Sequence, residues 1–328
     1  MEDTDLLIGY VIKIHSDFYY VKVDSDVIEC KLREILKKED LAPYVGDRVR
    51  LVDYRKESNQ AAIAEILPRK NYIPRPSIAN IDQVIIVTTL KNPVVDPVQL
   101  NRYIIQAEIY GIPVIICVNK SDLIDNQAEA DEVKSIYEPL GYKVIFTSAL
   151  KNTGIDELKA VLESKISVLC GSSGVGKSSI LNAIEPGLRL KTHNISKKTA
   201  RGTHTTRHTE IIEIKLSKDK TAQVADTPGF SYLRFDNILP EELDKYFPDI
   251  YEYSKDCHFH NCLHLEEIGC NVLENLENIE SSRYESYKEF LDEAKEYKET
   301  LQHAGHKEET KYKTIDSQDE RKKKIIKL

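Results

Sequence analysis

Four short motifs carry the chemistry of this chain. Asn119-Lys120-Ser121-Asp122 comes first, then Thr147-Ser148-Ala149, then Gly171-Ser172-Ser173-Gly174-Val175-Gly176-Lys177-Ser178, and last Asp226-Thr227-Pro228-Gly229. The third fits G-x4-G-K-S. Glycines let such a loop bend around phosphate, and successive backbone N–H groups then point at its oxygens. Gly171, Ser172, Ser173, Gly174, Val175 and Gly176 would form the cradle, with Ser179 at its exit. Lys177 would lie on the β- and γ-phosphates, and the Ser178 hydroxyl would hold Mg²⁺. Asp226 would reach the same ion through water, and the Gly229 N–H would sense the γ-phosphate.

Asn119, Lys120, Ser121 and Asp122 form the base-reading loop. The Asp122 carboxylate can accept two N–H bonds from the guanine edge, whereas adenine presents an acceptor at one of those positions and lacks the other donor. A carboxylate left unpaired in this way can discriminate by ~10⁴ or more. Lys120 would pack over the base plane, and Ser148-Ala149 would close the pocket with a backbone N–H toward the guanine oxygen. The base-reading parts precede the phosphate-binding parts, so the site is circularly permuted.

Hydrolysis needs an oriented water. Ras-like enzymes place a Gln just after the DxxG motif for this; here that position is Phe230. Between Gly187 and His208 lie six basic residues and no acidic one. The stretch includes Gly202-Thr203-His204-Thr205-Thr206, where a first switch loop belongs. Thr205 or Thr206 would complete the Mg²⁺ shell, and His193, His204 and His208 compete as the polar group near the water.

A separate cluster, Cys257-x4-Cys262-x-His264-x5-Cys270, supplies three thiolates and an imidazole. This donor set suits a closed, structural, tetrahedral Zn²⁺ site; His258 and His260 are competing imidazoles. Cys30, Cys117 and Cys170 stand singly in apolar stretches and read as core residues.

The elements that must position these groups follow from periodicity. Residues 6–68 read as short strands (Leu7–Ile14, Tyr19–Val23, Val27–Arg33, Asp47–Tyr54, Ala61–Leu67), which fit a small barrel with an OB-fold as the leading candidate. Acidic side chains outnumber basic ones there, which leaves room for a β-domain without RNA affinity. Pro74-Arg75-Pro76 marks a linker. Beyond it, strands Val84–Thr88, Val114–Val118, Val144–Thr147 and Ile166–Cys170 alternate with helical stretches, the pattern of a mostly parallel sheet with crossover helices. Ile211–Leu216 and Ala222–Ala225 complete the sheet. From about 236 the chain is helical and acidic, with Tyr284, Tyr287, Leu291 and Ala294 forming a packing stripe. The expected division is 1–70, 71–235, 236–305 and a charged tail, 306–328.

At 328 residues, with 41% hydrophobic residues, there is material for roughly two or three domains with real cores. The formal net charge of −8 argues against bulk nucleic-acid affinity, although the 187–208 stretch and Arg321-Lys322-Lys323-Lys324 are local basic clusters. The absence of an apolar run of ~18 residues and the acidic start Glu2-Asp3-Thr4-Asp5 point to a cytoplasmic, non-membrane protein, expected to be a monomer.

The permuted motif order, the N-terminal barrel and the distal Cys/His cluster together resemble the circularly permuted, ribosome small-subunit-dependent GTPases of the RsgA/YjeQ family. The resemblance covers all but the tail beyond about 300. It implies a multidomain α/β fold: an OB-fold barrel, a permuted P-loop GTPase domain and a helical zinc-binding domain. It also implies GTP hydrolysis stimulated by the small ribosomal subunit during late assembly, with release on hydrolysis and contacts to rRNA. By the family pattern His264, and neither His258 nor His260, is the zinc ligand, and a switch histidine matching His204 positions the water. A guanine-nucleotide-sensing, RNA-binding module with negligible hydrolysis is the alternative that Phe230 raises.

Overall fold

The computed structural model describes residues 7–39, 41–74, 77–188, 209–226, 235 and 237–303. Strands β1 (Leu7–His15), β2 (Phe18–Val23), β3 (Asp26–Leu32), β4 (Arg48–Arg55) and β5 (Gln60–Ile66), with the short helix α1 (Glu34–Lys38) between β3 and β4, make the first unit. They pair in the order β1-β2-β3-β5-β4, and β4 returns to β1, which closes the barrel with OB-fold topology. Alternation drives Val11, Val21, Ile28, Cys30, Val49, Leu51 and Ile63 inside. Gly9 is required where β1 crosses β2, because a Cβ there would lie 2.5 Å from the Lys22 carbonyl oxygen.

The Pro74–Pro76 stretch, expected as a linker, is flanked by paired strands. β6 (Tyr72–Pro74) pairs antiparallel with β7 (Ser77–Ala79). Ile73 and Ile78 are fully buried, and Ile78 bridges Val45 of the barrel. Burying those two side chains ties the hairpin to the barrel. Nearby, Arg69 makes a bidentate pair with Asp47, both bonds 2.7 Å, locking the hairpin approach to the barrel.

The second unit comprises β8 (Gln83–Thr89), α2 (Pro97–Ile109), β9 (Val114–Asn119), α3 (Gln127–Tyr137), β10 (Lys143–Phe146), α4 (Ile155–Leu162), β11 (Ile166–Cys170), α5 (Lys177–Ile184), β12 (Glu210–Lys215) and β13 (Thr221–Asp226). The sheet order is β10-β9-β8-β11-β13-β12. All pairings are parallel except β12–β13. β8 and β9 are buried along their whole length, as strands covered on both faces must be. β12 continues into the barrel through the pairing Lys13↔Glu210.

The third unit is helical: a 3-10 turn at Pro240–Tyr246, α6 (Pro248–Ser254), α7 (Asn271–Glu274) and α8 (Ser281–His303). In the expected stripe Tyr287, Leu291 and Ala294 are fully buried and Tyr284 is packed against them, with Phe290 added. Arg283 is fully buried beside them. Its guanidinium donates to Asp249 at 3.0 and 2.8 Å and to Asn101 Oδ1 on α2 at 3.2 Å, joining the helical unit to the sheet unit. Among the described residues no helix is long and apolar enough to cross a membrane.

Removing one partner of a buried ion pair strands the other charge in the core, which typically costs ~3–5 kcal/mol. Asp249→Ala should therefore lower stability by about that amount, read as a fall in urea midpoint, whereas Lys245→Ala, whose partner Glu242 is half exposed, should change it by less than ~0.5 kcal/mol.

Candidate functional site

Because β8, β9, β10, β11 and β13 run parallel, their carboxyl ends share one edge, where ligands of open α/β sheets bind. Asn119 ends β9, Thr147-Ser148 follows β10, Gly171 follows β11 and Asp226 ends β13. Three of the motifs and the backbone of Asp226, which opens the fourth, are dispersed over more than a hundred positions and meet on that edge.

Gly171 has φ +137°, and a Cβ there would sit 2.0 Å from the Val87 carbonyl oxygen. Gly176, with φ +98°, faces the Asn119 amide, and its Cβ would lie 2.4 Å from Asn119 Nδ2. These two positions admit only glycine. Lys177 and Ser178 open α5, and Ser179 follows in its first turn. Lys177 Nζ donates to the Gly171 and Ser172 carbonyls at 2.6 and 3.0 Å, so the ammonium lies over the loop. Ser172, Ser173 and Gly174 are exposed and Val175 is buried. A cleft of ≈ 180 Å³ separates Ser172 and Ser173 from Asp96, Gln99 and Tyr103 of the α2 start.

Asn119 is 2% exposed and makes no direct approach to solvent. Its Nδ2 donates to Val175 O at 2.8 Å, while its Oδ1 accepts from Thr147 Oγ1 at 3.2 Å and from the Ala149 N–H at 3.3 Å. It therefore ties the phosphate loop to the base-reading loops, a bracing role that the motif alone does not reveal. The Ala149 N–H, expected to face a guanine oxygen, points at this Oδ1. Lys120 adopts a left-handed conformation, φ 59°, and its Nζ donates to Gly174 O at 2.8 Å and to Asn92 O. Ser121 opens the following 3-10 turn, its N–H bonded to Thr147 O at 3.0 Å. Asp122 accepts from the Ser148 hydroxyl, and Ser148 is itself buried and accepts from the Lys151 N–H. One oxygen of the Asp122 carboxylate is thus held by the Ser148 hydroxyl.

His204, Thr205, Thr206 and Gly229 lie outside the described residues, as do Phe230, His193 and His208. Asp226 ends β13 opposite Glu210, and its side chain is likewise outside the description. The three lone cysteines are core residues as expected. Burial pushes the Cys117 thiol up to about 12, against a hydrogen bond to Thr147, so it is an inert neighbour.

Cys257, Cys262, His264 and Cys270 bring their ligand atoms within 4.8 Å of one another. His264 Nδ1 lies 3.6 Å from Cys257 Sγ and 3.4 Å from Cys270 Sγ. These groups fit a closed metal site. Four soft or borderline donors face one point, and the buried Nε2 of His264 turns away toward Asp244 Oδ2 at 3.7 Å, in the carboxylate–histidine arrangement that orients metal ligands. Glu267 accepts the N–H groups of Leu263, Leu265 and Glu266, and Tyr284 and Tyr287 donate to the His264 and Leu263 carbonyls, so the loop is shaped by residues outside the donor set. His258 and His260 are exposed and outside the cluster. Burial separates the three imidazoles where spacing does not.

Sequence models of two families match the chain: the RsgA GTPase over residues 66–236 and the RsgA N-terminal domain over residues 8–63. A relative from Alkaliphilus metalliredigens described as a small ribosomal subunit biogenesis GTPase RsgA is 43% identical, spanning 88% of this chain and 97% of its own. A relative of the same description from a Geobacillus species is 43% identical over 88% and 98%. Among solved structures, YjeQ from Thermotoga maritima superposes with a TM-score of 0.74 at 36% identity, covering 88% of this chain and 98% of that one. YloQ, described as a circularly permuted GTPase, gives 0.73 at 35%, covering 90% and 98%.

The cluster predicts about one tightly held metal ion per purified chain, read by elemental analysis. Cys262→Ser and His264→Ala should lose it, whereas His258→Ala should retain it. Retention in His264→Ala with loss in His258→Ala would assign the wrong imidazole.

Proposed function

This chain belongs to the RsgA GTPase family, and from that premise we propose that it binds GTP, hydrolyses it to GDP and phosphate, and acts on the small ribosomal subunit during its late maturation, leaving on hydrolysis. The observation that carries the reading is the convergence of the permuted motifs on one sheet edge, with Asn119 holding the phosphate loop and the base-reading loops in register. Its relatives' description as small ribosomal subunit biogenesis GTPases supports the partner. The same reading divides the chain into a barrel (1–70), a GTPase domain (71–235), a helical zinc domain (236–305) and a charged tail, working as a cytoplasmic monomer that touches rRNA.

Asp122, its carboxylate oriented by Ser148, accepts from the guanine edge while Lys120 covers the base, with Asn119, Ser121 and Ala149 shaping the pocket. The backbone of Gly171–Gly176 and the first turn of α5, Lys177 to Ser179, surround the phosphates, and Lys177 exchanges its loop carbonyls for phosphate oxygens. Ser178 and Asp226 hold Mg²⁺, with Thr205 or Thr206 completing the shell. When bound, that ion neutralises charge developing on the phosphate oxygens. Gly229 senses the γ-phosphate. Phe230 leaves water orientation to another group, and His204, ordered within its basic loop by rRNA, fills that role. Cys257, Cys262, His264 and Cys270 hold Zn²⁺ as a structural ion, since four ligands leave no position for substrate.

Asp122→Asn replaces a carboxylate acceptor by a carboxamide and loses a charge-assisted, bidentate contact. GTP affinity should fall and discrimination against ATP should narrow; titration of labelled GTP and ATP into both proteins measures it, and an unchanged GTP affinity defeats the assignment. His204→Ala should keep nucleotide affinity but lose ~10²–10⁴-fold of subunit-stimulated turnover. Single-turnover hydrolysis at saturating small subunits, with His208→Ala alongside, decides it. Full stimulation of His204→Ala transfers the role to another group, and a wild type that subunits never stimulate favours the non-hydrolysing sensor.

A further inference from the structure

The imidazole of His264 has two nitrogens, and the metal cluster uses one of them. The His264 backbone is left-handed, φ 59°, which is uncommon for a residue with a side chain and persists where the surroundings impose it. With this bend the buried ring presents Nδ1 at 3.6 Å from Cys257 Sγ and 3.4 Å from Cys270 Sγ. The opposite nitrogen, Nε2, is buried and has no hydrogen-bond partner among the described residues. The polar atom it faces is Asp244 Oδ2, at 3.7 Å.

A neutral imidazole carries one proton. When Nδ1 gives its lone pair to a metal ion the proton sits on Nε2, and a buried N–H without an acceptor costs its full desolvation penalty. A shift of about half an ångström brings the Asp244 carboxylate into hydrogen-bond range of that N–H. Glu267, the half-buried carboxylate of the ligand loop, is committed elsewhere: its Oε1 takes the Leu263 N–H at 2.8 Å, and its Oε2 takes the Leu265 and Glu266 N–H groups at 2.9 and 3.2 Å. Asp244 comes from a different element, the 3-10 turn Pro240–Tyr246. Leu243 of that turn is fully buried, and Glu241 pairs with Lys298 of α8. The Asp244 carbonyl accepts the Phe247 N–H at 2.9 Å, just ahead of α6. The carboxylate that faces the imidazole is therefore held by the helices and not by the cysteine loop.

We propose that Asp244 is a positioning residue for the metal site: it accepts the Nε2–H of His264, selects the tautomer that offers Nδ1 to the ion, and so ties the turn Pro240–Tyr246 to the metal loop. This rests on the reading of the four residues as a metal site. A carboxylate placed behind a metal-bound imidazole typically contributes ~10–100-fold in metal affinity. Its loss should therefore appear as weaker retention of the ion, with the four donors unchanged.

The test compares the full-length wild type, Asp244→Ala and Asp244→Asn, with Zn²⁺ and Co²⁺ as the added ions. Zn²⁺ affinity is measured by competition with a chromophoric chelator, and the urea midpoint is measured on the metal-free proteins. The Co²⁺ absorption spectrum reports the donor set, and nitrogen NMR of selectively labelled histidine reports which ring nitrogen binds. Asp244→Ala should lose ~10–100-fold in Zn²⁺ affinity while its Co²⁺ spectrum keeps the thiolate bands of the wild type. Asp244→Asn, whose carboxamide oxygen still accepts the Nε2–H, should recover most of the loss. In the Zn²⁺-loaded wild type His264 should bind through Nδ1 and carry its proton on Nε2. Equal affinity in all three proteins overturns the proposal, and so does ligation through Nε2. An equal loss in both variants that tracks the metal-free urea midpoint overturns it too, since that marks a merely structural residue. Should Asp244→Ala fail to fold, the nitrogen that the wild type uses still decides. A wild type that binds no Zn²⁺ defeats the metal-site reading beneath, whereas Zn²⁺ bound with the same affinity by wild type and variants defeats this inference alone.

Discussion

The carboxamide of Asn119 is the contact on which the site depends. It is buried at the end of β9, where a donor must meet Val175 O and an acceptor must meet Thr147 and Ala149 at the same time. Only a primary amide carries both on one planar group. An aspartate would set an acceptor against the Val175 carbonyl and bury a charge, and a leucine would take the partner from the Val175 carbonyl and the Ala149 N–H at ~1–3 kcal/mol each. The same amide explains Gly176 across the site, since any Cβ there would enter the space the Nδ2 occupies. Phosphate loop and base-reading loops come from separate strands, and this side chain, together with Lys120 donating to Gly174 O, makes them a single surface.

Much of this was legible before any coordinates. Five barrel strands and six sheet strands fall where periodicity places them, within a residue or two, and the chain beyond about 236 is helical among the described residues, as expected. They do so because each is long enough to show alternation or an unbroken apolar run, and the nucleotide motifs are contiguous in sequence. What could not be read is non-local. Arg283 lies in a helix that reads as an ordinary acidic, amphipathic one, and its buried partners Asn101 and Asp249 are 182 and 34 positions away. Arg102, Glu289 and Glu293 look like solvated charges until α2 and α8 are laid together. Among three histidines near the cysteines, His264 is the one expected from the family pattern, and it is the one that is buried and within reach of the three thiols.

Permutation changes what each part of the α/β unit is attached to. The segment after α5 enters β12, and β12 is the edge strand that meets the barrel. The segment after β13 enters the helical unit at Phe235. The segment after β13 therefore opens directly into an appended unit, whereas the segment after α5 enters a strand that belongs to the sheet and also meets the barrel. In the unpermuted order both would continue into the same domain, and any movement would be absorbed there.

The two attachments differ in strength. Arg283 is fully buried, its pair with Asp249 is nearly so and extends to Asn101, and Phe235 packs against Phe290; breaking either strands charge or opens a cavity at several kcal/mol. The barrel meets β12 through one paired position and two ion pairs, Lys13–Glu210 and Lys22–Glu213, whose carboxylates are substantially exposed and which are worth ~0–1 kcal/mol each. The barrel's firm attachment is elsewhere, at the hairpin β6–β7 and the Arg69–Asp47 pair, near the opposite edge of the sheet where β8 begins. Glu210 faces both Lys13 of the barrel and Asp226 of the nucleotide edge. The barrel is thus held most firmly away from the nucleotide edge, while Arg283 and Asn101 hold the helical unit directly to α2.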